Sequence, residues 1–219
     1  MTEHGPIRDG RTRGDPFLDV ADRPLVKVGR KRDPTRDAVI LDAALEVLAE
    51  VGYSGMTMDM VAVRAKAGKA TVYRRWSSKA EMVVDAVGRM KRSMVDLDRL
   101  PDTGALRADL VALIKPQSIV EKEHTLKVMG GLASMLSHDP GLADAVNAAV
   151  TEPWADAYRV LMRRAVDRGE IPDPAYFETL VHVVPSMAAY RVLIQGKPVD
   201  RDFLVALIDG LLLPALRAT

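Results

Sequence analysis

Six basic side chains, Arg64, Lys66, Lys69, Arg74, Arg75 and Lys79, lie between Asp59 and Glu81 with no acidic residue among them. At helical spacing Val72 and Trp76 (i, i+4) share an inward side, while Lys69, Tyr73 and, one turn on, Arg75 to Ser77 lie outward. Such a helix offers donors where a duplex offers acceptors, on base edges in the major groove and on the flanking phosphates. On charge alone, a solvated basic face is as good a reading of this run as a polyanion site. The spacing within the run must decide.

Catalytic readings fail on their own motifs. Gly68-Lys69 suggests a phosphate-binding loop, but Val63 stands where its first Gly is required and Ala70 where Ser or Thr would bind Mg²⁺. Gly52-Tyr53-Ser54-Gly55-Met56 resembles a nucleophile elbow, yet Met ends it and no strand candidate precedes it. His4, His124, His138 and His182 are dispersed, without metal-ligand spacing. The absence of cysteine removes thiolate catalysis, disulfides and zinc fingers together. We therefore expect no catalytic residue, no metal and no cofactor.

Elements must position the basic run, and the composition says which kind. The 219 residues are 48% apolar and 28% charged but only 5% aromatic, rich in Ala, Val, Leu and Met. That is the residue set of packed helices. The net charge of +1 hides an asymmetry: residues 1–80 hold 15 Lys/Arg against 11 Asp/Glu, the remainder 16 against 19. The start of the chain lacks an apolar signal-peptide core, and no apolar run reaches the ~18 residues of a membrane helix. A soluble, cytoplasmic protein is the expectation.

Residues 1–32 read as a flexible basic extension ending in Arg30-Lys31-Arg32, either an arm for an adjacent minor groove or a plain basic tail. Asp33-Pro34 signals a helix start. The following helix places Val39, Ile40, Ala43, Ala44, Val47, Leu48 and Val51 on one stripe and stops at Gly52. Thr57 caps a short second helix to about Ala65, and Lys66-Ala67-Gly68 turns into a third at Lys69–Arg75. Ser77-Ser78 begins a fourth, expected to about Leu97, with Val83, Val87, Met90 and Met94 inside. Two short helices joined by a tight Gly-containing turn have the geometry of a helix-turn-helix. Beyond it come a segment from Ala105 broken by Pro116, a helix from about Glu121 to Ser137, and a long helix from Leu142 to Arg168 kinked at Pro153. A helix from Pro174 to Gln195 and a final one capped by Asp200 complete the chain. The expectation is all-α with about nine helices: a helix-turn-helix domain over 33–80 and a helical ligand-binding and dimerisation domain over 81–219.

The run from Thr35 to Val87 resembles the DNA-binding domain of TetR/AcrR-type transcriptional regulators. The most specific part is Lys69-Ala70-Thr71-Val72-Tyr73-Arg74-Arg75-Trp76-Ser77-Ser78-Lys79, which matches the family signature at every element. Carried over by position, the resemblance implies phosphate contacts from Thr57, Tyr73, Arg74, Arg75 and Lys79. It implies base-edge or groove contacts from Lys69, Ala70 and Tyr73, with Thr71 either a contact or a local cap. The segments RRAVDRGE and MAAYRVLIQGKPVDRDFLVALIDGLLLPAL resemble, more loosely, a C-terminal subclass of that family. One departure concerns the turn, where the family places Gly in a left-handed conformation and this chain places Lys66. Either the turn carries about 1 kcal/mol of strain or its geometry differs.

Two further expectations follow. Phe203, Leu204, Leu207, Ile208, Leu211 and Leu212 form a stripe wider than one neighbouring helix covers, which suggests a two-fold homodimer. Breaks at Pro116, Gly130-Gly131, Pro153 and Pro185 suggest helices bent around a cavity for a small hydrophobic or amphipathic effector. Its candidate lining is Gln117, His124, Met129, Trp154, Tyr158, Met162, His182, Met187 and Tyr190. The function implied is that of a regulator, probed as a repressor released from a palindromic double-stranded operator. The competing reading is a helical protein-interaction module without DNA binding.

Overall fold

Helix formation begins at Pro34, whose missing N–H is harmless in a first turn; the computed structural model describes residues 34–217. The expected basic extension, its Arg30-Lys31-Arg32 end, His4 and the Asp33 cap lie outside the described residues. Helix α1 (Pro34–Gly55) is regular as far as Gly52, which takes φ 69° and kinks the chain. Its buried arc runs through Ile40, Leu41, Ala43, Ala44, Leu45, Val47 and Leu48. Val39 lies outside that arc and is exposed, and Val51, in the last turn before Gly52, is exposed too. Both depart from the expected stripe.

Three helices follow closely. Thr57 caps α2 (Met58–Arg64) by accepting from the Met60 N–H at 3.2 Å. Gly68 precedes α3 (Lys69–Arg75), and Ser78 caps α4 (Lys79–Met94) through the Glu81 N–H. The remaining elements are α5 (Leu106–Ala112), α6 (Ile119–His138), α7 (Ala143–Val150), α8 (Glu152–Asp167) and α9 (Phe177–Leu193). Last come α10 (Arg201–Leu207), a π-helical turn (Ile208–Leu212) and α11 (Leu213–Arg217), which continue one another. The described residues contain no strand, and none of their helices is long and apolar enough to cross a membrane.

Several boundaries differ from expectation for local reasons. Helix α6 starts two residues early because Ser118 and Glu121 form a reciprocal capping box. The long helix over Leu142–Arg168 is two helices, divided at Thr151, which puts Pro153 in the first turn of α8 rather than inside a helix. Helix α4 stops at Met94, short of Leu97, and α9 starts at Phe177, after a turn from Pro174. Gly130-Gly131 does not interrupt α6 at all. A β-carbon on Gly131 would lie 2.5 Å from Cδ1 of Leu48, so this glycine serves the close crossing of α1 and α6.

Two apolar clusters fill the interior. One joins the inner faces of α1, α2, α3 and α4 to Val128, Met129, Leu132 and Met135 of α6 and to α7. The boundary expected near residue 80 falls inside this cluster. The other joins Val95 and α5 to α8, α9, the π-turn and α11. Helix α4 and the residue that follows it touch both.

Candidate nucleic-acid interface

Helix α3 is anchored by its inner face and leaves its outer face bare. Val72 and Trp76 are fully buried, and the Trp76 indole N–H donates to Asp85 Oδ2 at 2.9 Å. Lys69, Ala70, Tyr73 and Arg74 are exposed, while Thr71 is half-buried. Gly68 supplies no side-chain cap to α3. The turn before it is fixed by backbone bonding: Ala67 N–H donates to Ala62 O at 2.8 Å and Lys66 N–H to Val63 O at 3.1 Å. This is the Schellman pattern, which needs a left-handed residue at its centre. Lys66 takes that conformation, with φ 48°. The strained alternative is the one adopted.

The six cations of the acid-free run divide sharply. Arg64 is paired with Glu46 at 3.1 Å and Glu50 at 2.6 Å, and this raises its pKa while holding Glu50 below the usual carboxylate range. The Lys79 ammonium donates to the Tyr53 carbonyl at 2.7 Å and lies over the Tyr53 ring. Arg75 is ion-paired with Asp37 of α1, its side chain only 11% exposed. Lys69 donates to Asp59 Oδ2 at 2.7 Å, which lowers the Asp59 pKa and raises that of Lys69. Among the described residues, only Lys66 and Arg74 of the six have cationic heads without a carboxylate or hydrogen-bond acceptor.

The assignment of Arg75 to a phosphate therefore needs correction. Its guanidinium is turned into the joint between α3 and α1, where Asp37 takes the charge. Lys79, half-buried against Tyr53, likewise acts in the joint between α1 and α4. Thr57 stays exposed at the N-terminus of α2 with its oxygen used as a cap. The structure brings together Lys69, Ala70, Tyr73 and Arg74 on one face. It adds Asp59, whose Oδ1 accepts weakly from the Tyr73 hydroxyl at 3.4 Å. Asp59 is ten residues from Lys69, a separation that pairs only through the turn.

The nine effector candidates lie in different surroundings. Met129 is buried in the first cluster, Tyr158 and Met162 in the second, and Trp154 packs against the second. Met187 and Tyr190 are exposed on α9, while Gln117, His124 and His182 are half-buried elsewhere. Two concavities among the described residues are open grooves. One is lined by Val47, Asp59, Met60, Val63, Arg64 and Lys69, the other by residues of α8 with Phe177 and Glu178. Neither includes any of the nine. The interface stripe also changes: Ile208 and Leu212 are fully buried within the chain, Leu204 and Leu207 pack partly against the second cluster, and Phe203 lies under the Arg191 guanidinium. Leu211 alone of the six is exposed, because the π-turn rotates its neighbours inward.

A buried-backed helix with a bare face of Lys, Tyr and Arg, set on a second helix by a tight turn, defines a helix-turn-helix DNA-binding protein. Residues 40–86 match the family described as bacterial regulatory proteins, tetR family, and residues 100–211 match a tetracyclin repressor-like C-terminal domain. An uncharacterised HTH-type transcriptional regulator of Mycobacterium tuberculosis is 34% identical over 202 residues, covering 90% of this chain and 94% of the relative. The DNA-binding transcriptional repressor TetR of Mycobacteroides abscessus is 34% identical over 186 residues, covering 85% and 96%. The crystal structure of the TetR family transcription regulator SCO0332 superposes with a TM-score of 0.59 at 26% identity, over 81% of this chain and 96% of that one. The chain belongs to the TetR family of transcriptional regulators and is not an enzyme.

Proposed function

We propose that this regulator is a cytoplasmic homodimeric repressor that reads a palindromic operator with α3 and leaves it when a small hydrophobic or amphipathic effector binds. The observation that carries the reading is the exposed face Lys69, Ala70, Tyr73 and Arg74 on a helix whose other side is fully buried. Two such helices, one per protomer, read half-sites related by the dimer axis. A relative at 34% identity named as a DNA-binding transcriptional repressor supports repression. Phosphate contacts fall to Thr57, Arg74 and Lys66, and base contacts to Lys69, Ala70 and Tyr73.

Release works through α4. It carries Met82, Val83, Ala86 and Val87 in the first cluster, and Val95 just beyond it enters the second. An effector that parts the second cluster near Trp154, Tyr158 and Met162 shifts the far end of α4 and thereby the spacing of the two reading helices. Operator and effector affinities are then reciprocally coupled.

The experiment is fluorescence anisotropy on an operator recovered by selection from random duplex. Tyr73→Ala and Lys69→Ala each weaken operator binding by about 1–3 kcal/mol. Wild-type affinity in both variants overturns α3 as the reader. Titration of apolar and amphipathic compounds then tests release. A compound that raises the melting temperature yet leaves operator affinity unchanged at saturation refutes the coupling for that compound.

A further inference from the structure

The proposed reading face holds one carboxylate, and it is bonded to two of the three base-reading candidates. Asp59 Oδ2 accepts from the Lys69 ammonium at 2.7 Å, and Oδ1 accepts from the Tyr73 hydroxyl at 3.4 Å. Lys69 and Tyr73 are one turn apart on α3, so a single carboxylate at the start of α2 spans the reading face. No acidic residue follows for the next twenty-one positions, up to Glu81. The neighbouring cation, Arg64, lines the same groove but is taken by Glu46 and Glu50.

We propose that Asp59 is a specificity-determining residue: it keeps Lys69 and Tyr73 to itself on non-cognate duplex, and releases them only where cognate bases replace the carboxylate. The proposal rests on the reading of α3 as the recognition helix. Both ends of the Lys69–Asp59 pair are well exposed, 65% and 44%, so the pair is weak and opens readily. A guanine edge, with O6 and N7 as acceptors, offers Lys69 a bond that replaces the one it gives up. A phosphate reached at random offers charge alone, and Asp59 repels it at close range. Lys69 therefore adds less to sequence-independent binding while the carboxylate is present.

The test is Asp59→Asn, which keeps the shape and loses the charge, bound to random duplex and to the operator across about 50–200 mM salt. Freed of its partner, Lys69 neutralises one more phosphate, so the log-log salt slope on random duplex steepens by about 0.9. Random-duplex affinity rises severalfold, operator affinity rises less, and the specificity ratio falls. In the Lys69→Met background Asp59→Asn no longer steepens the slope. The proposal is overturned by an unchanged slope in Asp59→Asn or by steepening that persists without Lys69. Failure of α3 as reader shows separately, as wild-type operator binding by Tyr73→Ala and Lys69→Ala.

Discussion

The guanidinium of Arg36, in the first turns of α1, donates to the backbone carbonyl of Lys66 at 2.7 Å, and so holds a lysine in a left-handed turn that glycine would occupy more easily. The turn sets the angle between α2 and α3, and its strain is retained at the tip of a DNA-binding module. Lys66→Gly relieves it. The variant gains about 0.5–1 kcal/mol in chemical denaturation, because glycine enters the left-handed region without a Cβ clash. It also loses one cation facing outward, so the salt slope on duplex DNA becomes shallower by about 0.9. A variant that is less stable than wild type would show that the Lys66 side chain supports the turn.

Arg74 and Arg75 are neighbours with opposite expectations. Arg74 meets no acceptor among the described residues, whereas Arg75 is half-buried in an ion pair with Asp37. Arg74→Ala leaves the melting temperature near wild type and reduces the salt slope by about 0.9. Arg75→Ala removes the ion pair that joins α3 to α1 and destabilises the fold by about 1–3 kcal/mol. Paired melting curves and salt titrations distinguish them, and an exchange of the two phenotypes would reverse the assignment.

Adjacent glycines in α6 also separate. A β-carbon on Gly130 meets nothing within 4 Å, so Gly130→Ala gains about 1 kcal/mol of helix propensity. A β-carbon on Gly131 collides with Leu48, which is itself fully buried and has little room to retreat. Gly131→Ala costs about 1–3 kcal/mol by overpacking the α1–α6 crossing. Equal denaturation midpoints for the two variants would show that the crossing is loose.

For the proposed homodimer we place the contact on exposed apolar residues: Met187 and Tyr190 of α9 and Ile194 just after it, at i, i+3 and i+7, with Leu211 of the π-turn. Ile194 is 72% exposed and Leu211 47%, so neither supports the chain's own core much. Ile194→Asp with Leu211→Asp yields a folded monomer in sedimentation at micromolar concentration. Leu212→Asp, at a fully buried position, unfolds the protein instead. A wild-type monomer, or a double variant that still dimerises, would place the interface elsewhere.

The architecture was legible because its signals are local. Proline at position 34, the Thr57 and Ser78 caps, and the Val72/Trp76 spacing each act within one turn of chain. The Ser118–Glu121 box acts just as locally. The internal partners of the basic run were not legible. Asp37 and Arg75 are thirty-eight residues apart, and Asp59 meets Lys69 only because the turn at Lys66 folds α3 back on α2. A sequence shows which side chains carry charge; it does not show which charges are already neutralised. Prolines and glycines mark where helices stop or cross: Gly131 serves the α1–α6 crossing and Pro153 the first turn of α8.

His182 gives the stability of this fold a pH dependence of definite sign. Its Nδ1–H donates to the Glu178 carbonyl at 2.7 Å, and Nε2 lies 3.0 Å from Glu152 Oε1, joining the starts of α8 and α9. The hydrogen bond to Glu178 and the nearby Glu152 carboxylate raise the His182 pKa above 6.5, against desolvation and the repulsion of Arg159. A raised folded-state pKa means that protonation favours the native state. The contribution is complete below the unfolded value near 6.5 and fades as pH rises through the folded value. His182→Gln keeps a donor toward Glu178 and Glu152 but cannot take the charge. The melting-temperature gap between wild type and His182→Gln is therefore wider at about pH 5.5 than at about pH 8.5. The Glu178 pKa is lowered by Arg159, so that carboxylate keeps its charge across the interval. A gap that stays constant, or widens on the alkaline side, would assign the contact to packing rather than to charge.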